Sequence, residues 1–266
     1  MRAECWQKAA WKRCRLIRTF CGCILVNNAL TRDGPLLAVV KLNQAYAGSH
    51  ILKDVDIVIE RGSVTALMGR NGVGKTTFLK TLLGLLPSLS GTVCYRGMDI
   101  TQWSTQARAR GGIGYVPQGR MIFPTLTVEE NLRVALAARG DKRSTIPVLV
   151  FELFPVLSTM LQRRGGDLSG GQQQQLAIAR ALTTDPDLLI LDEPCEGIQP
   201  SIVQEISEAI KTLQRELGMT VVIVEQRLRF VRSVASNFYI MERGQIRANG
   251  SLDSLSDELI AKYLTV

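Results

Sequence analysis

The sequence predicts an α/β fold: a parallel-sheet core, a small antiparallel β layer beside it and an inserted helical subdomain. Two observations carry the core. Short apolar runs at Val64–Met68, Leu188–Leu191 and Thr220–Val224, the second of them fully apolar, read as buried strands. The first of these runs straight into the glycine-rich stretch Gly69-Arg-Asn-Gly-Val-Gly-Lys-Thr-Thr77 and then into a helix. A third observation carries the side layer. Strand patterns at Leu37–Leu42, Ile51–Glu60 and Thr92–Tyr95 sit outside the apolar series, and in the second Val55, Ile57 and Ile59 alternate with Asp54, Asp56 and Glu60.

In chain order, Tyr46 falls in an expected turn between the first two strands, where it is placed either to stack on an adenine ring or simply to face solvent. Arg61-Gly62-Ser63 turns the chain into the strand that feeds the glycine-rich loop. The helix beyond that loop is expected over Lys75–Leu86, with Phe78, Leu79, Leu82, Leu83 and Leu86 apolar, and Pro87 to Gly91 breaks it. Ile113–Val116 is a further strand, ending at Pro117-Gln118. Thr127-Val-Glu-Glu130 is a capping box opening a helix to about Arg139, with Val128, Leu132, Ala135 and Leu136 on one face. Ile146–Leu161 is helical but broken by Pro155, so Phe123 to about Arg164 reads as the helical insertion, or else as more core helix. Leu168-Ser-Gly-Gly-Gln172 starts a helix to about Thr184, in which the run Gln172–Gln175 is too short to be a low-complexity tract. From Arg227 onward a helix, a hairpin around Gly244 and a short terminal helix are expected.

The chemistry lies in the connections. Glycines at 69, 72 and 74 let the backbone curl so that successive N–H groups converge on one anion, and the helix that follows adds its positive end. Lys75 supplies a mobile cation for the outer phosphates, and the Thr76 hydroxyl suits a magnesium ion. Ser169 is a natural N-cap, and Gly170 and Gly171 expose backbone N–H groups, which makes a second anion site. Asp192 and Glu193 end a buried strand and project toward the ligand crevice of an open α/β sheet. There Asp192 is placed to hold magnesium and Glu193 to orient or deprotonate an attacking water.

At 266 residues the chain can bury a large core, and no apolar run reaches the ~18 residues that a membrane-spanning helix needs. The net charge of +8 would suit nucleic acid, but Met1–Leu36 holds seven Lys or Arg against Glu4 and Asp33, so five of those charges sit there. That segment also carries Cys5, Cys14, Cys21 and Cys23. It is expected to be a disordered basic extension or a start-site artefact, with a targeting peptide or a lipid-touching arm as alternatives. Cys21-Gly-Cys23 lacks a second pair at zinc spacing, and nothing argues for disulfides.

Taken together, the glycine-rich loop, Gln118 after its strand, LSGGQ at 168–172 and the strand ending in Asp192-Glu193-Pro194 resemble the nucleotide-binding subunits of ATP-binding-cassette transporters, over residues 37–266. The resemblance implies a P-loop NTPase (RecA-like) core, ATP and Mg²⁺ as cofactors, and a helical subdomain at about 119–166. It makes Tyr46 the adenine-stacking aromatic and Gly69, Arg70, Asn71, Gly72, Val73, Gly74, Lys75, Thr76 and Thr77 the Walker A loop. Gln118 becomes the residue that meets magnesium and the transmembrane partner, Ser169, Gly170, Gly171 and Gln172 the signature, Asp192 the end of Walker B and Glu193 the catalytic base. Gly114–Arg120 and Glu193–Ser201 are most similar to ATPases of branched-chain amino acid and urea importers, with Glu196-Gly-Ile-Gln-Pro-Ser201 nearest the urea type. The partners so implied are a second cassette in a heterodimer, two transmembrane permeases and a periplasmic or extracellular solute-binding protein, with no nucleic acid. The implied location is peripheral, on the cytoplasmic face of the inner membrane. Gln226 stands where most such subunits have histidine, and the lone His50 precedes the loop. Gln199 and Cys195 depart from the common aspartate and Thr or Ser. An amide at 226 still donates to a γ-phosphate, so hydrolysis is expected. A nucleotide-gated clamp beside an active sister ATPase, and a soluble cassette without transport, are the competing expectations.

Overall fold

The computed structural model describes residues 34–46, 48–139 and 145–265. The basic extension up to residue 33, with its four cysteines, lies outside the described residues.

Two sheets form the frame. Strands β1 (Leu37–Tyr46), β2 (Ser49–Ile59), β4 (Ser90–Tyr95) and β5 (Met98–Asp99) make an antiparallel layer in the order β2-β1-β4-β5. The main sheet takes β3 (Val64–Met68), β6 (Ile113–Val116), β7 (Leu188–Asp192), β8 (Thr220–Val224), β9 (Asn237–Glu242) and β10 (Gln245–Ser251) in the order β10-β9-β3-β8-β7-β6. All its pairings are parallel except the β9–β10 hairpin. The α/β expectation, with a parallel core and an antiparallel side layer, is the architecture found.

Strands buried on both faces need apolar side chains at every position, and β7 shows how this divides the core. Leu189 and Leu191 pack on one side with Leu176, Ile178, Ile206 and Ile210. Leu188 and Ile190 pack on the other with Leu67, Phe78, Leu82 and the inward residues of β1 and β2. Helix α1 (Lys75–Leu82) is thereby held between the two sheets. It ends four residues before the expected Leu86. Gly84 has φ +73°, and Leu85 and Leu86 turn their N–H groups back to the Lys80 carbonyl. The apolar period runs past the helix because Leu83 is still buried in the core after the chain has left helical geometry.

Between α2 (Thr105–Arg110) and the signature stretch lie α3 (Val128–Ala138), α4 (Val148–Leu153) and α5 (Pro155–Ser158). The break expected at Pro155 divides α4 from α5, because proline has no N–H to continue a helix but suits its first position. Val128, Leu132, Val150, Phe154 and Leu157 join the same core cluster as the main sheet. After α6 (Gly170–Thr183) comes α7 (Pro200–Leu217), an element the patterning above leaves unassigned. Its buried Ile206, Ala209, Ile210 and Leu213 have the spacing of one helical face, and Gly218 at φ +61° closes it. The tail is as expected: α8 (Leu228–Val234), the β9–β10 hairpin turning at Gly244, and α9 (Asp257–Tyr263). Tyr46 is corrected from turn to strand, since it is the last residue of β1 and faces Ser49 of β2.

Candidate active site

Strand register assembles the site. Leu67 of β3 lies beside Val224 of β8, Val224 beside Asp192 of β7, and Leu191 beside Val116 of β6. The segments leaving these strand ends are the glycine-rich loop, Glu225-Gln226, Glu193 and Gln118, so four distant stretches of sequence meet at one sheet edge.

The loop is shaped by close approach. At Gly69, φ +151°, a Cβ would lie 2.4 Å from the Met241 carbonyl oxygen. Gly74, φ +115°, lies against Leu52 and Ile51 and is the N-cap of α1. No side chain caps that helix start, so its first N–H groups and its positive end face the loop. Lys75 is 6% exposed and donates from Nζ to the carbonyls of Gly69 at 2.6 Å and Arg70 at 2.8 Å. Burial lowers its pKa, while Glu193, Asp192 and Glu225 act in the opposite direction.

Glu193 is held in the left-handed region at φ +48°, strain that a non-glycine residue carries only where its surroundings enforce it. Its own N–H donates to the Val224 carbonyl at 2.8 Å. One carboxylate oxygen accepts from Gln118 Nε2 at 3.1 Å and the other from Gln226 Nε2 at 3.3 Å. Gln226 Nε2 also donates to Asn71 Oδ1 in the loop at 2.7 Å, and Gln118 Nε2 to Glu196 at 3.1 Å. Asp192 is 3% exposed and accepts from the Tyr115 hydroxyl at 3.3 Å. Its pKa is pushed up to about 6, chiefly by burial, with the Tyr115 hydrogen bond opposing and the charge of Glu193 adding to the rise. Burial and the Asp192 charge in turn raise the Tyr115 phenol.

The signature stretch is built separately. Ser169 Oγ accepts from Gln172 N at 3.3 Å, and Gln172 Oε1 accepts from Ser169 N at 3.0 Å, a reciprocal capping box at the start of α6. Among the described residues no hydrogen bond joins Ser169, Gly170, Gly171 or Gln172 to the glycine-rich loop. Tyr46 is 43% exposed at the tip of the β1–β2 hairpin, whose second strand passes the loop at Ile51 and Leu52. The structure thus brings the loop, Gln118, Asp192, Glu193 and Gln226 together, and leaves the signature and Tyr46 outside that cluster. Two residues were not anticipated there: Tyr115, and Glu225, which is 4% exposed. The only sequence signal for either is its place at a strand end.

A family model described as ABC transporter matches residues 52–196 of this chain. The chain belongs to that family. It is an ABC ATPase, and it binds and hydrolyses ATP. The cassette is 38% identical to a probable branched-chain amino acid transport ATP-binding protein LivF of Archaeoglobus fulgidus, over 83% of this chain and 94% of that protein. It is 40% identical to the high-affinity branched-chain amino acid transport ATP-binding protein BraG of Pseudomonas aeruginosa, over 79% and 91%. It is also 34% identical to the lipopolysaccharide export system ATP-binding protein LptB of Escherichia coli, over 85% and 95%. A nucleotide-free ATP-binding cassette from an ABC transporter superposes with a TM-score of 0.74 at 28% identity, covering 86% of this chain and 95% of that one.

The donor set suits a small hard cation. A threonine hydroxyl, a glutamine amide and a buried carboxylate are all oxygen ligands, and magnesium in nucleotide sites takes one or two carboxylates and completes its shell with phosphate and water. Among the described residues no group of three His, Cys, Asp or Glu is placed to hold a metal ion.

Proposed function

We propose that this cassette powers uptake of a small polar solute, a branched-chain amino acid or urea, by closing on ATP with a second cassette and reopening on hydrolysis. The observation that carries the catalytic part is the convergence of Gln118 and Gln226 on the two oxygens of Glu193, beside the glycine-rich loop.

In this reading Gly69 to Thr77 wrap the phosphates, Lys75 leaves its own loop carbonyls for the outer phosphates, and Tyr46 stacks on the adenine. Thr76, Gln118 and Asp192 hold Mg²⁺, which supplies charge neutralisation at the phosphates. Glu193 takes the proton of the attacking water, and the Gln226 amide donates to the γ-phosphate. Ser169, Gly170, Gly171 and Gln172 serve the nucleotide of the opposite cassette. Their separation from this chain's own loop supports that pairing, since one polypeptide cannot then complete both halves. Each ATP adds several charge-assisted hydrogen bonds across the seam, about 1.5 to 3 kcal/mol each, and hydrolysis removes them. Residues 119–166 act as the helical subdomain that moves the signature.

No helix among the described residues is long and apolar enough to cross a membrane. The proposed assembly is a heterodimer of cassettes on two permeases, fed by a solute-binding protein, on the cytoplasmic face of the inner membrane. Relatives named for branched-chain amino acid transport support that solute class. The urea reading rests on the wording of Glu196–Ser201.

The test has two parts. Glu193→Gln in the full chain should retain ATP and lose turnover by about 10² to 10⁴, and unchanged turnover removes Glu193 from the mechanism. Reconstituted with its permeases, the cassette should drive uptake of labelled leucine or urea, and the one accumulated decides between them. Outward movement of a lipid-linked substrate, with neither solute taken up, would overturn import.

A further inference from the structure

Glu225 has no part in the chemistry assigned above, yet it is among the most enclosed charged residues of the chain, at 4% exposure. A carboxylate taken out of water is tolerated only where donors are aimed at it. Its donors come from two different loops. Oε1 accepts from the backbone N–H of Gln226 at 2.7 Å and of Arg227 at 3.0 Å, and Oε2 accepts from the backbone N–H of Cys195 at 3.3 Å. Its own backbone N–H donates to the Leu67 carbonyl, at the end of the strand that becomes the glycine-rich loop. One residue therefore ties together the segment bearing Gln226, the segment two residues beyond Glu193 and the strand leading to the phosphates.

We infer that Glu225 is a positioning residue, a clamp that fixes the loop carrying Gln226 against the loop carrying Glu193 and so sets the geometry in which the two side chains meet. The distances within that geometry are short of slack. Gln226 Nε2 spans from Asn71 to Glu193 with a single amide nitrogen, and Glu193 sits at a strained φ of +48°, so neither end relaxes without moving the other. The clamp is enclosed rather than exposed to exchange with water. Cys195 is fully buried beside it, and burial, and after it the Glu225 charge, raise its thiol. Glu225 differs in this from Glu196, whose carboxylate meets Gln118 at the exposed side.

The inference rests on the assignment of Glu193 as base, and the experiment separates the two. Full-length cassette is assayed for single-turnover hydrolysis as wild type, Glu225→Gln, Glu193→Gln and the double variant, with binding of a fluorescent ATP analogue and a thermal melt for each. Glu225→Gln keeps the shape but opposes an NH₂ to backbone donors. It should lower the hydrolysis rate on the order of tenfold to a hundredfold, as small misplacements of a reacting group do, while analogue affinity stays within about twofold. In the Glu193→Gln background the same change should have no further effect. A loss of equal factor in both backgrounds, or a loss matched by the fraction of unfolded protein, overturns the clamp and leaves Glu193 as base. Unchanged turnover in Glu193→Gln alone overturns the base and the clamp with it. Where Glu225→Gln does not accumulate folded, Glu225→Asp keeps the charge, shortens the reach by one methylene and must show the same dependence on Glu193.

Discussion

Two helices of this cassette begin on glycine-rich turns, and they begin differently. Helix α1 starts at Gly74 with no side-chain cap, so its first N–H groups are left to whatever anion the loop surrounds. Helix α6 starts at Ser169 with both halves of a capping box made. The first keeps its end open toward the loop. The second has used only the acceptor side of the Ser169 hydroxyl, because Gln172 N donates to it, and the hydroxyl proton remains to donate elsewhere. Capping therefore orients the serine without consuming it. Under the function proposed above, the contrast would give the two helix ends different duties, one retaining nucleotide within its own chain and one adding its donor when another cassette arrives.

The comparison breaks first at Lys75. If α1 is the retaining site, Lys75→Ala removes the buried ammonium that now sits on the Gly69 and Arg70 carbonyls, and kcat/KM for ATP should fall by about 10³. Titration of ATP by calorimetry should show binding weakened as well. A variant with full affinity would mean that backbone and helix end suffice. The next largest effect belongs to Ser169→Asp. Aspartate caps a helix as well as serine does, so the melting temperature should hold, but it presents a charge where a donor is needed, and ATPase activity should fall by about 10². ATP binding to the isolated chain should not change. Loss of binding there would place the signature within its own chain's site.

What was legible in the sequence divides along the same line. Each glycine-rich start is a contiguous stretch whose turn runs directly into its helix, so local chemistry was enough to read it. The buried strands were legible because only apolar residues survive in the middle of a doubly covered sheet, and Leu188–Asp192 and Thr220–Val224 were found where expected. The end of α1 was not, since Leu86 keeps the apolar period although the chain has already turned at Gly84. Helix α7 is legible in the spacing of Ile206, Ala209, Ile210 and Leu213, which share one helical face. Glu225 was beyond reach of the sequence. Its partners at 195 and 226–227 come together only through the register of β7 against β8.

A third test concerns the enclosure of the retaining site. Burial raises the folded-state pKa of Asp192 to about 6 from an ordinary value near 3.8, so between those values the folded chain binds more proton than the unfolded one. Stability therefore falls as pH rises through this window. The cost is fully present above pH 6 and absent below pH 4. Asp192→Asn should stabilise the magnesium-free cassette at pH 8 by on the order of 2 kcal/mol, a gain that shrinks steadily toward pH 4.5 in urea unfolding. A gain independent of pH would mean that the carboxylate is not paying for its burial as a charge.

The smallest effect sharpens the comparison most, because it separates capping from catalysis. The Ser169 box has a counterpart at the start of α3, where Thr127 Oγ1 accepts from Glu130 N at 3.1 Å and Glu130 Oε2 accepts from Thr127 N at 2.8 Å. Ser169→Ala and Thr127→Ala remove the same kind of cap, and each should cost about 1 kcal/mol of stability in a denaturant titration. Only the first also removes a hydroxyl donor from a phosphate-directed turn. Equal stability losses with ATPase activity reduced in Ser169→Ala alone would assign the serine both duties. Equal losses in activity would reduce the signature serine to a helix cap, and the two glycine-rich starts would then differ in geometry but not in function.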